Sequence, residues 1–216
     1  MDNTVLPIWK KPGMTSYDVV RIITNKNKKF KVGHCGTLDP FAEGVLLVCT
    51  GKETKNITTL MCYKKEYNAT ILLGSETDTL DCTGSIIKSN KCPKLTTDKI
   101  NKTLDEFKGS YLQTPPYYSA LRFKGIRLYK YARKGIYIKK KPRKVFIEDL
   151  KLIDFKSNQI SIYVKCEKGT YIRSIARDIA YKLKTYGHVI KLSRIAIGPF
   201  NQENSYTINT LDTCLS

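Results

Sequence analysis

Two stretches of this chain bring together residue types that do chemistry. Val32–Pro40 (VGHCGTLDP) places His34 and Asp39 five residues apart in a run with two glycines. Glycines let a backbone come close to a ligand, and a carboxylate there serves as nucleophile or base. The plainer reading is an Asp that caps a turn before a proline. Cys166–Arg173 (CEKGTYIR) runs from a strand pattern through Gly169 into a helical one. Arg173 falls in that helix's first turn, where the helix dipole disfavours a cation. An anionic partner is one reading, and an exposed surface Arg is the other. Tyr67 is a third candidate, with a half-buried strand aromatic as its plain reading.

Other chemistries find little support. The sequence has no Ser-His-Asp arrangement, no P-loop and no GxGxxG. His34 and His188 are the only histidines, too few for a His-based metal site. The seven cysteines (35, 49, 62, 82, 92, 166 and 214) include no CxxC pair. An odd count without that spacing points to reduced thiols in a cytosolic-type compartment rather than to disulfides or zinc.

The elements that must position these residues follow from periodicity. Lys10–Gly13 (KKPG) is a turn, and Ser16 caps a helix through about Lys28 with Tyr17, Val20 and Ile23 inward. Val32–Pro40 reads as a loop, and Gly44–Thr50 as a short buried strand. Tyr67–Gly74 alternates as a strand, and Thr97–Lys108 is amphipathic and helical. Arg127–Lys134 forms a short helix. Val145–Ile153 and Gln159–Glu167 are strands. Thr170–Leu183 is the clearest helix, carrying Ile172, Ile175, Ala176, Ile179 and Leu183 as one stripe, with Thr170 as its cap. A strand over His188–Ala196 precedes an irregular tail. Without regular βαβ alternation, the order predicts an α+β fold on a largely antiparallel sheet.

Length and charge narrow the partner. The chain has 216 residues, enough for one large domain or one domain with a small appendage. No apolar run is long enough for a membrane span. The N-terminus lacks the pattern of a signal peptide. Lys and Arg number 38 against 19 Asp and Glu, a net charge of +19. The excess is concentrated. Gln113–Lys144 holds Arg122, Lys124, Arg127, Lys130, Arg133, Lys134, Lys139, Lys140, Lys141, Arg143 and Lys144, with no acidic residue. Tyr117, Tyr118, Phe123, Tyr129, Tyr131 and Tyr137 are interleaved with them. Cations among aromatics suit a nucleic acid, through phosphate pairing and base stacking.

Five ordered blocks then carry a resemblance. They are Lys10–Ser16 (KKPGMTS), Gly33–Lys55 (GHCGTLDPFAEGVLLVCTGKETK), Lys65–Gly84 (KEYNATILLGSETDTLDCTG), Gly109–Gly135 and Val164–Leu183, followed by Leu192-Ser193-Arg194 and Gly198-Pro199-Phe200. Together they resemble the TruB family of tRNA pseudouridine synthases. That resemblance implies the pseudouridine synthase fold: a central, largely antiparallel mixed sheet flanked by helices, with a basic RNA-clamping segment at 113–144. Residues 1–200 would form the catalytic domain. The tail 201–216 is too short for the RNA-binding PUA domain that many members carry.

The resemblance also implies an activity: isomerisation of uridine in the T-loop of tRNA, usually at position 55, without cofactor or metal. Asp39 would be the nucleophile. The target base must be flipped out of the stack. Tyr67 would stack on it and serve proton transfer at C5. His34 would occupy space near the everted nucleotides, Tyr171 would line the pocket, and Leu192 would pack on the base. Arg173 would pair with the nucleophile. Arg122, Lys124, Arg127, Lys130, Arg133, Lys139, Lys140, Lys141 and Arg143 would meet the RNA backbone. A monomer acting on the T stem-loop in the cytoplasm is the expected form.

Two other readings compete. One is an idle RNA-folding module that only grips the T-loop. It has no need of Asp39, Tyr67 and Arg173 together, and all three are present. The other is a guide-RNA-dependent synthase of the dyskerin type, against which the absent extensions argue. Position 35 is Cys, read either as an alkylation-sensitive thiol or as a silent buried one.

Overall fold

The computed structural model describes residues 3–26 and 29–211. Along the chain run β1 (Val5–Lys10), α1 (Ser16–Lys26), β2 (Val32–Cys35), β3 (Glu43–Thr50), α2 (Ile57–Leu60), β4 (Lys65–Leu73), β5 (Ser75–Thr77) and β6 (Ile86–Ser89). Then come α3 (Thr97–Asp105), β7 (Gly109–Gln113), β8 (Arg122–Phe123), β9 (Ile126–Arg127), α4 (Leu128–Ala132), β10 (Arg143–Lys156) and β11 (Gln159–Cys166). The last elements are α5 (Ile172–Lys182), β12 (Gly187–Ile197) and β13 (Phe200–Asn201). The chain divides into two compact units, residues 1–67 with 192–216, and residues 68–191.

In the first unit β3 is the central strand. It pairs antiparallel with β1 and with β2, and its start runs parallel to β12 through Ser193↔Glu43 and Arg194↔Gly44. Side chains of a strand alternate between faces, and β3 is buried on both. Leu46 and Val48 join Leu6, Ile8, Val19, Ile23 and Leu211 in one core cluster. Val45, Leu47 and Cys49 join Cys35, Leu60 and Ile197 in another. A strand covered on both faces reads as the continuous apolar run GVLLVCT.

In the second unit the strand order is β4-β11-β10-β7. β10 and β11 form a long antiparallel hairpin, and β7 pairs antiparallel with β10. Ile160, Ile162 and Val164 alternate inward and are fully buried. The apolar stripe of α5 is buried at Ile172, Ile175, Ala176 and Ile179. The α+β class with a largely antiparallel, mixed sheet therefore stands as expected.

Several local expectations are corrected. Val32–Cys35 is a strand on β3, and only Gly36 onward is loop. The cap of α1 is Thr15, not Ser16. The Thr15 hydroxyl accepts from the Asp18 amide (3.0 Å), and the Asp18 carboxylate accepts from the Thr15 amide (2.9 Å). That is a reciprocal capping box. It turns Tyr17 out to 69% exposure and puts Val19 inward with Val20 and Ile23. The described helix ends at Lys26; residues 27 and 28 lie outside the described residues. Thr170 does not cap α5; its hydroxyl donates to the Glu167 carbonyl, and Tyr171 holds the cap position. The tail is partly ordered: β13 pairs with β12, and Tyr206 exchanges backbone hydrogen bonds with Pro7 and Trp9.

Candidate active site

The loop between β2 and β3 carries Asp39, and hydrogen bonds hold most of its backbone carbonyls. Buried carbonyls require donors, and here each donor is identifiable. The Arg194 side chain donates to the Thr37 carbonyl (3.3 Å) and reaches the Gly36 carbonyl at 3.5 Å. The Ser16 hydroxyl donates to Leu38 O (3.2 Å) and accepts from Leu38 N (2.9 Å). Asp39 O accepts from Ala42 N at 3.1 Å. Pro40 O accepts from Gly13 N (2.8 Å) and from Lys10 Nζ (3.4 Å). Ala42 O accepts from Lys10 Nζ at 2.5 Å. Leu38 is buried, whereas Asp39 is only half-buried. The backbone is held while Asp39 is not fully buried, as a residue that must meet a ligand requires.

Two buried cations surround this loop. Lys10 is fully buried, and its ammonium also caps the Lys11 and Met14 carbonyls at 2.9 Å each. Burial, and then the Arg194 guanidinium, lower its pKa to about 8; the Asp39 and Glu43 carboxylates act against that shift. The loop carboxylate therefore sits in a field of positive charge set by the fold.

The first unit also holds His34, Tyr67 and Leu192. His34 lies on β2 opposite Val48, half-buried. Tyr67 is on an inward position of β4, and Leu192 is a buried residue of β12.

Tyr171 and Arg173 belong to the second unit, at the start of α5. The buried Gln113 amide fixes Tyr171: its oxygen accepts from Tyr171 N (2.8 Å) and its nitrogen donates to Tyr171 O (3.2 Å). Arg173 is buried, not the exposed surface residue of the plainer reading. Its guanidinium donates to Thr79 O (2.7 Å) and Tyr118 O (3.0 Å) and lies 3.3 Å from the Asp81 carboxylate. Asp81 in turn accepts from the Thr79 hydroxyl (2.8 Å), the Thr83 hydroxyl (2.6 Å) and the Thr83 amide (3.0 Å). This anion offsets the cost of a cation in a helix's first turn.

Comparison with known proteins gives this geometry its context. The model of the TruB family pseudouridylate synthase N-terminal domain matches residues 21–172, and that of the tRNA pseudouridylate synthase B C-terminal domain matches 173–216. The tRNA pseudouridine synthase B of Caldanaerobacter subterraneus subsp. tengcongensis is 46% identical over 208 residues, 96% of this chain and 73% of that protein. That of Clostridium perfringens strain SM101 is 44% identical over 210 residues, 97% of this chain and 71% of that protein. The chain belongs to the TruB family of pseudouridylate synthases. Its fold matches a solved Cbf5-Nop10-Gar1 complex with a TM-score of 0.75 and 29% identity, covering 96% of this chain and 53% of that one. An H/ACA RNP bound to a substrate RNA containing 2'-deoxyuridine gives a TM-score of 0.71 and 27% identity, over 96% and 51%. The chain spans about half the length of those two solved chains.

The basic segment of this TruB-family synthase carries the β8–β9 hairpin and α4, anchored by buried Leu128 and Ala132. Arg122, Lys124, Arg127, Lys130, Arg133, Lys139, Lys141 and Arg143 are exposed. Lys140 differs. Its ammonium is buried without a hydrogen-bond partner, 3.5 Å from the Tyr117 ring centroid, and burial with the nearby Arg177 lowers its pKa to about 8.

Sequence reasoning missed Lys10, Ser16, Asp81, Gln113 and Arg194 as partners of the candidate residues and their loop. Asp81 had a local signal: threonines two residues to either side (Thr79, Thr83) are suited to hold a carboxylate. Lys10 and Arg194 had none, because the carbonyls of the Asp39 loop and of β3 that they bind are 30 or more positions away in the chain.

Proposed function

We propose that this synthase isomerises uridine to pseudouridine in the T-loop of tRNA, at position 55, with Asp39 as the nucleophile. Isomerisation of uridine in tRNA is the activity named for its relatives, which share 40–46% identity with this chain. The observation that carries the finer reading is the Asp39 loop: most of its backbone carbonyls are tethered, while Asp39 itself is half-buried beside two buried cations. The reaction breaks the C1′–N1 bond, turns the bound base and forms C1′–C5; the C5 proton leaves and N1 gains one. A carboxylate fixed at the ribose–pyrimidine junction serves this without cofactor or metal, because it is already anionic at neutral pH.

The other residues take the roles of their family counterparts. Tyr67 stacks on the everted base and serves proton transfer at C5. His34 fills space near the flipped nucleotides, Tyr171 lines the pocket and Leu192 packs on the base. Arg173 takes the role of the family's arginine that pairs with the nucleophile. The exposed cations of 113–144 clamp the T stem-loop through its phosphates, and their aromatic neighbours offer stacking surfaces. Residues 1–200 act as the catalytic domain of a monomer working in the cytoplasm.

The test is incubation with an unmodified T-arm minihelix, followed by mapping of pseudouridine through its carbodiimide adduct and primer extension. Product at the position equivalent to 55 is expected with the wild-type chain. Asp39→Asn keeps the side chain's shape but removes its charge, so RNA binding should stay within a few-fold and product should vanish. Substantial turnover by that variant would falsify the nucleophile assignment.

A further inference from the structure

Arg194 grips both ends of the loop that carries Asp39. Its backbone faces Gly44 in the parallel β12–β3 pair, at the loop's exit. The approach is so close that a Cβ added to Gly44 would lie 2.2 Å from Arg194 O, and Gly44 has φ +119. Only glycine accepts both the contact and the backbone angle. The side chain turns back to the loop's entry. Nε donates to Val45 O at 2.7 Å, Nη1 donates to Thr37 O at 3.3 Å, and Nη2 lies 3.5 Å from Gly36 O. One residue thus closes the span from Gly36 to Val45.

The chemistry of this contact is expensive for a purely structural one. Arg194 is among the largest fully buried side chains, and its charge is one cause of the lowered Lys10 pKa. Two buried cations repel, and their hydrogen bonds go to peptide carbonyls. An apolar side chain of similar volume fills such a space without desolvating a charge. What it cannot do is donate to several carbonyls from one rigid guanidinium.

We propose that Arg194 is a positioning residue for the isomerisation, setting the pose of Asp39 by tying Gly36, Thr37 and Val45 to one rigid fork. The inference rests on Asp39 being the nucleophile. A shift of about 1 Å in a reacting group costs on the order of 100-fold in rate. Arg194→Lys keeps the charge and loses the fork. Gly36→Ala attacks the same tether from the other side. Its Cβ would meet nothing within 4 Å, so no clash opposes it, but Gly36 has φ +85, which an alanine adopts only under backbone strain.

The experiment is single-turnover kinetics on the unmodified T-arm minihelix at saturating enzyme, with RNA affinity and thermal midpoint measured in parallel. The rate constant at saturation does not depend on the folded fraction, so a merely stabilising arginine would lower the midpoint and leave the rate unchanged. Expected are an Arg194→Lys rate down about 100-fold and a Gly36→Ala rate down about 10-fold, each with affinity within about threefold of wild type. If Arg194→Lys does not fold, Gly36→Ala decides alone. A wild-type rate in whichever variant folds, alongside an inert Asp39→Asn, overturns this inference and leaves the nucleophile in place. Turnover by Asp39→Asn overturns both.

Discussion

The guanidinium of Arg173 lies 3.3 Å from the carboxylate of Asp81, with both side chains about 5% exposed. Three further hydrogen bonds from Thr79 and Thr83 fix the carboxylate, so the arginine meets a prebuilt anion. Each of its terminal nitrogens also donates to a backbone carbonyl, Thr79 O and Tyr118 O. The helix that carries Arg173 opens with no acidic residue in its first turn. Asp81, more than ninety positions earlier, supplies the missing negative charge.

Replacing Asp81 by Asn should therefore slow the reaction without loosening RNA. The amide keeps the shape but leaves the buried arginine short of a counter-charge, which typically costs about 3–5 kcal/mol. We expect the single-turnover rate to fall at least tenfold, with RNA affinity within about threefold and a lower urea midpoint. A normal rate in a folded Asp81→Asn would show that this anion does not tune the site.

Lys10 gives a pH signature. Its pKa in the folded chain is about 8, lowered by burial from 10.5. Between those values the unfolded chain holds a proton that the folded chain does not, so stability from this group rises with pH across roughly 8 to 10.5. Below pH 8 both states are protonated and the burial penalty is felt in full. The difference in unfolding free energy between wild type and Lys10→Met should become more favourable to wild type from pH 7.5 to pH 10, by at most about 3 kcal/mol. Urea melts at the two pH values measure it. A pH-independent difference would contradict the buried, charge-crowded ammonium.

The basic segment should dominate the salt dependence of RNA binding. Each exposed cation that loses a phosphate should flatten the slope of log affinity against log salt by about 0.7–0.9. Lys139→Ala, Lys141→Ala and Arg143→Ala each remove an exposed charge. Lys140→Ala removes one whose ammonium is buried against Tyr117, so it should change the slope less than Lys141→Ala. Filter binding between 50 and 300 mM salt (roughly the range over which such contacts are screened) separates the two. Equal slopes for all variants and wild type would place the RNA elsewhere.

Thiol labelling should follow burial. Cys62 and Cys82 are exposed, whereas Cys35, Cys49 and Cys166 are buried. Cys35 Sγ also lies 3.3 Å from Cys49 Sγ, an interaction that lowers the Cys35 pKa and raises that of Cys49. Mass spectrometry after brief iodoacetamide treatment of the native chain should find adducts at 62 and 82 well before 35. Early labelling of Cys35 would mean that the strand before the Asp39 loop opens readily.

The elements were legible where side chains repeat. The α5 stripe and the β11 alternation each state their own period, and the apolar run of β3 marks a strand covered on both sides. Reading failed where a single local residue has two uses. Ser16 looks like a cap, yet its hydroxyl is taken by Leu38 and the capping falls to Thr15. Val32–Cys35 looks like loop because of Gly33, yet β3 supplies it with a pairing edge.

From the sequence alone came the α+β class, the family, the basic segment and the residues proposed to react, Asp39 among them. Each of these is carried by local composition or by an ordered run of letters. Only the tertiary structure decided what holds those residues still: Lys10, Ser16 and Arg194 around the Asp39 loop, Gln113 at Tyr171 and Asp81 at Arg173. The reason is that their partners are mostly backbone carbonyls and amides. Every residue offers those groups alike, so no letter in the sequence marks which one will be met.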